Sequence, residues 1–192
     1  YHHIGGEMTP SDVASPSAES ALRSAAAATQ AFGSDAASAW VMEGTNKFRL
    51  PKLDPLYDAQ FAGGWARGFR EVVTERQILN CHGTFYEVPR SISGGIRKMR
   101  VLATHGKRIT DFASWRGLLV LTGVLDDAPV SDKLVKNADG TAALWLGEID
   151  DLWRMGEARG TGGPWNNTAV AATTASDPYL MYGYDRKELT LT

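Results

Sequence analysis

A glycine that closes a short apolar strand, recurring at nearly constant intervals, constrains this chain more than any other feature. Gly44-Thr45-Asn46-Lys47-Phe48-Arg49-Leu50-Pro51-Lys52 and Gly83-Thr84-Phe85-Tyr86-Glu87-Val88-Pro89-Arg90 share a Gly-Thr start and an aromatic, charged, aliphatic, Pro, basic finish, with one residue inserted. Their glycines stand 39 residues apart. Gly123 follows Gly83 by 40 residues, and Gly147 and Gly183 are 36 apart. Periods near 40 residues, carrying about four short strands each, are those of propeller blades.

The texture from Trp40 onward agrees, with short apolar runs separated by Gly, Pro, Asn and Asp. Strands are expected at 40–43, 46–50, 77–80, 84–88, 99–104, 109–115, 118–124, 142–149 and 179–182. Residues 109–121 read as the inner hairpin of a blade, turning at Arg116-Gly117, where glycine supplies a positive φ. The 142–149 strand should then pair beside it after the polar 136–140 loop.

On this texture, 40–192 resembles the bacterial β-propeller proteins of polysaccharide-degrading systems, which implies a mainly β fold and a carbohydrate ligand. The sialidase aspartate-box and the Trp-Asp repeat ending are both missing. At this period, 153 residues make fewer than four blades, whereas propellers usually have about four to eight. An incomplete propeller, or a fragment completed by remaining blades or a second polypeptide, is therefore expected. The opening Tyr1-His2-His3 and the 189–192 ending in mid-alternation agree with a fragment. Residues 1–39 are set apart as an Ala/Ser-rich extension with a helix after Pro16, either mobile or loosely docked, or else a packed lid or partner-binding arm.

Charge narrows the partners. With 20 Lys+Arg against 22 Asp+Glu, the chain lacks the basic face that duplex binding needs, so no nucleic acid partner is expected. No run of about 18 apolar residues marks a membrane span. The single Cys81 makes neither an internal disulfide nor a multi-thiolate zinc site, and no histidine spacing suggests a metal.

Glycoside cleavage needs one carboxylic acid to protonate the leaving oxygen and a second as base or nucleophile. Asp111 and Glu87, beside apolar strands, are the candidates. Each also has a structural alternative: Asp111 on a turn amide or Arg116, and Glu87 on Arg90. His82 and His105, each preceding a glycine, are candidate substrate contacts at a channel rim; the alternative for His82 is a histidine hydrogen-bonded between blades, and for His105 a turn residue. Of six tryptophans, Trp65 and Trp165 lie in glycine-rich loops, where stacking on a sugar is expected, while Trp115 and Trp145 suit the core. Arg116 completes the substrate-binding set. The 160–163 glycines lack the Lys-Ser/Thr ending of a phosphate loop, and Asn166-Asn167-Thr168 matches a glycosylation acceptor. The expected function is a carbohydrate-binding or carbohydrate-cleaving propeller segment; the alternative is a noncatalytic protein-interaction module.

Overall fold

The structure, a computed structural model, describes residues 2–4, 7–9, 17, 31–61, 64–72, 76–124, 132–136, 138 and 143–190. Apart from Ser17, the helix expected after Pro16 lies outside the described residues, as does most of the 136–140 loop. The described protein is mainly β, with three antiparallel sheets, a separate ribbon of β1 (His2–Ile4) and β2 (Glu7–Thr9), and short 3₁₀ turns. Among the described residues no helix is long and apolar enough to cross a membrane.

The first sheet runs β3 (Phe32–Ser34), β4 (Ala39–Glu43), β5 (Asn46–Leu50), so pairing starts ahead of the expected boundary at 39/40. The second is the meander β6 (Arg67–Val72), β7 (Arg76–Cys81), β8 (Thr84–Val88), β9 (Arg100–Thr104). The third contains β10 (Asp111–Trp115), β11 (Leu118–Thr122), β12 (Leu134–Lys136) and β13 (Ala143–Gly147). Its spatial order is β10-β11-β13-β12, so β13 inserts beside β11 as the hairpin reading requires.

The Gly-Thr repeat marks equivalent hairpins. Gly44 (φ 60) and Thr45 join β4 to β5, and His82 (φ 53) with Gly83 (φ 74) joins β7 to β8. Arg116 (φ 49) and Gly117 (φ 82) turn β10 into β11. Positive φ at both central residues, as at His82-Gly83 and Arg116-Gly117, is the type I′ signature, whose twist suits right-twisted strands; at Gly44-Thr45 only the glycine has it. The equivalent of Gly83 in the third sheet is therefore Gly117, only 34 residues on, and not Gly123. Gly123 instead sits against the Arg108 carbonyl, where a Cβ would lie 2.2 Å from the oxygen.

Period-two alternation sends successive side chains of the second sheet to opposite cores. Leu79, Tyr86 and Val101 pack with Val41, Phe48 and Leu50 of the first sheet. Ile78, Phe85 and Leu102 pack with Phe112, Leu119 and Leu121 of the third. The second sheet is thus the middle layer, buried on both faces, and each such side chain contributes about 1.5–3 kcal/mol by leaving water.

After a 3₁₀ segment (Ile149–Arg154), residues 155–190 return to the first sheet. Lys52 and Thr161 exchange both backbone hydrogen bonds, at 2.7 and 2.9 Å. Arg49 donates from its amide to Pro178 O and accepts from Leu180 N. Its guanidinium binds Asp35, Ser38 and Asp177. The strand expected at 179–182 is a single bridge at Tyr179: Pro178 has no N–H to extend the ladder, and Gly183 (φ 90) turns the chain against Val101.

Candidate binding cleft

Three glycines bring the 160–165 loop onto the first sheet. A Cβ at Gly160 would lie 2.6 Å from Pro51 Cβ, and one at Gly162 (φ 138) would lie 2.6 Å from Ala37 O. Gly163 N donates to that same carbonyl at 3.0 Å. Only glycine permits both the conformation at 162 and this approach. The loop thereby holds out Trp165, 46% exposed, as one wall of a cleft of about 1120 Å³. Tyr179, Leu180 and Tyr184 line it from the returning chain, followed by Arg186 and Lys187. Burial raises both tyrosine hydroxyls to about 12, and that of Tyr184 is enclosed without a hydrogen-bond partner.

The other side of the same loop borders two smaller clefts, of about 460 and 580 Å³, which share Leu53, Asp54 and Thr161. A short 3₁₀ turn (Pro55–Asp58), capped by Asp54 Oδ1 accepting from Leu56 N at 2.8 Å, forms the adjoining floor. Beneath it His82 Nε2 meets Asp58 Oδ1 at 3.1 Å, and Lys52 Nζ holds Asp58 Oδ2 at 2.5 Å. Burial lowers the His82 pKa, against the opposing pull of Asp58. Burial alone would raise Asp58, but Lys52 and Ser34 outweigh it and hold the carboxylate below its usual range. Neutral His82 donating from Nε2 leaves Nδ1 buried without a hydrogen-bond partner. Because His82 belongs to the β7–β8 turn and packs against Tyr57, it sits under the clefts and does not open into them.

The seven expected site residues do not gather in one place. Trp165 lines the cleft. His105 is an internal brace: Nε2 bonds Asn80 Oδ1 at 3.0 Å, and Nδ1 accepts from Lys107 N at 2.9 Å. Burial and the Lys107 charge push its pKa down to about 3. Trp65 is half-buried beneath Arg67, whose guanidinium lies 3.9 Å from the ring centroid. Arg116 stands at the β10–β11 tip, 5.3 Å from the ring of Trp115.

The two carboxylates carry arginine partners other than those expected from sequence. Glu87 Oε2 accepts from Arg100 Nε at 2.7 Å across β8 and β9, while Arg90 reaches Glu71. Asp111 accepts from Arg70 and from Phe112 N. Arg70, Ile78, Glu87 and Arg100 form one row across the second sheet, on the side facing the third. Neither carboxylate lines the large cleft. Among the described residues no group of three His, Cys, Asp or Glu side chains is placed to hold a metal ion.

Sequence reading missed Tyr179, Tyr184, Arg186 and Lys187 as cleft residues. The available signal was Tyr179 and Tyr184 flanking Gly183, which marks a bend between two aromatic rings. No family model, curated protein or solved structure matches the chain.

Proposed function

We propose that this protein binds carbohydrate in the cleft walled by Trp165, as a segment of an incomplete propeller whose blades are the three sheets. The supporting observation is one half-exposed indole held out by a glycine-built loop, in a cleft of about 1120 Å³ that Tyr179 and Tyr184 also line. Flat amphipathic rings present an apolar face and a polar edge together, as a sugar ring requires. The role is binding and not cleavage, since Glu87 and Asp111 are both ion-paired and outside the cleft. Titration calorimetry against a panel of neutral and acidic oligosaccharides tests it. Binding to at least one class, weakened tenfold or more by Trp165→Ala, supports the proposal; no heat from any sugar overturns it.

A second reading, a noncatalytic interaction module, is favoured by the outer face of the third sheet. Leu144 and Val135 share an outward row with Asp111 and Thr122, and Leu146, Val120 and Ala113 form the next. Trp115, Leu144 and Val135 are 50%, 41% and 58% exposed. An apolar sheet face of this kind suits a further antiparallel sheet, supplied by remaining blades or a second polypeptide. Binding of a hydrophobic dye that falls in Leu144→Glu but not in Trp165→Ala is the expected outcome.

A further inference from the structure

We infer that the sugar taken by the large cleft is anionic, with a uronate carboxylate held by Arg186 and Lys187. This rests on the carbohydrate proposal above. Arg49, Lys52, Arg70, Arg76 and Arg100 each hold a carboxylate within 3.1 Å and are spent on the fold. Arg186 and Lys187 line the cleft, and among the described residues neither has an acidic partner. Among the described residues, Glu188 is the only carboxylate in the lining.

Position makes these cations useful. They follow Tyr184 by two and three residues in chain without regular secondary structure. Such chain spans at most about 3.5 Å per residue, so the Cα atoms of both cations lie within roughly 10 Å of the Tyr184 Cα. That is the reach of one or two sugar units from a stacked residue. A guanidinium fork matches a planar carboxylate through two parallel hydrogen bonds, while the lysine ammonium adds a point charge. The cleft exceeds the roughly 300–1,000 Å³ that a drug-sized ligand fills, so it accommodates several sugar units.

The test compares sugars differing only in the carboxylate. The intact protein is titrated with oligogalacturonate and oligoalginate, and with the carboxyl-reduced form of each at the same linkage. At low salt an acidic oligosaccharide is expected to bind at least tenfold tighter than its reduced counterpart. Raising the salt to 0.5 M, or substituting Arg186→Gln with Lys187→Gln, is expected to erase that preference. Both side chains are exposed, and unchanged thermal unfolding of the variant checks that the fold is kept. Equal binding of acidic and reduced forms overturns the charge inference and leaves carbohydrate binding standing. So does a preference that survives the double substitution. Failure of every neutral and acidic sugar to bind overturns both.

Discussion

Arg70 closes on Asp111 across the boundary between the second and third sheets, with Nε–Oδ1 at 2.9 Å and Nη2–Oδ2 at 3.1 Å. The pair joins β6 to β10, the strands that meet where the two layers touch. Asp111 is 40% exposed on its side chain, so solvent screens the interaction. Asp111→Ala is expected to cost about 1 kcal/mol in urea denaturation, with the proposed sugar binding unchanged. A loss of binding at retained stability would instead place Asp111 in the site.

The two type I′ turns differ in what surrounds them. At Gly117 (φ 82) an added Cβ meets open space; at Gly83 (φ 74) it would come within 2.9 Å of Leu53 and Tyr57. Gly117→Ala should therefore cost only the left-handed backbone penalty, about 1–2 kcal/mol. Gly83→Ala adds a steric clash and should cost at least about 1 kcal/mol more. Equal losses in chemical denaturation would count against the packing described around Tyr57.

Acid should unfold the protein earlier than its carboxylates alone dictate. The folded pKa of His105 lies near 3, below its ordinary 6.5, and that of His82 is also lowered. Protonation therefore favours the unfolded chain. The stability lost begins as pH falls below about 6.5 and accumulates until the folded pKa is reached, at roughly 1 kcal/mol per unit for His105. Asp35 and Asp58, both lowered, add a further loss below about 4. His105→Gln should flatten the stability profile between pH 4 and 6.5, and an unaltered slope would contradict the buried neutral imidazole.

Arg49 fastens the returning chain. It is 11% exposed and joins Asp177 to Asp35 and Ser38. Arg49→Ala should release the 164–190 segment, seen as faster proteolysis there, and should weaken the proposed sugar binding several-fold because Tyr179 and Tyr184 come with it. Protection equal to wild type would show that the backbone bridges suffice.

What was legible in the sequence depended on burial. The 46–50 and 84–88 strands match β5 and β8, because strands packed on other sheets carry contiguous apolar or alternating residues. Strand β6 was missed because it is an edge strand, and Arg67, Arg70 and Glu71 mask its two inward residues, Phe69 and Val72. β3 and β12 are three residues each, too short for a period to register. Arg116-Gly117 was legible as a turn since its chemistry is local. The cleft was not, because its walls come from Trp165, Tyr179 and Tyr184, positioned by contacts with Pro51, Ala37 and Arg49 more than 100 residues away.

The insertion of β13 beside β11 fixes an order of assembly. During synthesis β12 emerges before the strand it pairs with, and β11 keeps an open edge until residues 143–147 arrive. Closing that longer loop is entropically slower than zipping a meander, so the third sheet should be the last of the three to acquire protection. A ribosome stalled before Ala143 would display a half-built layer, with Leu119 and Leu121 covered on one side only, the state in which a nascent chain most needs a chaperone.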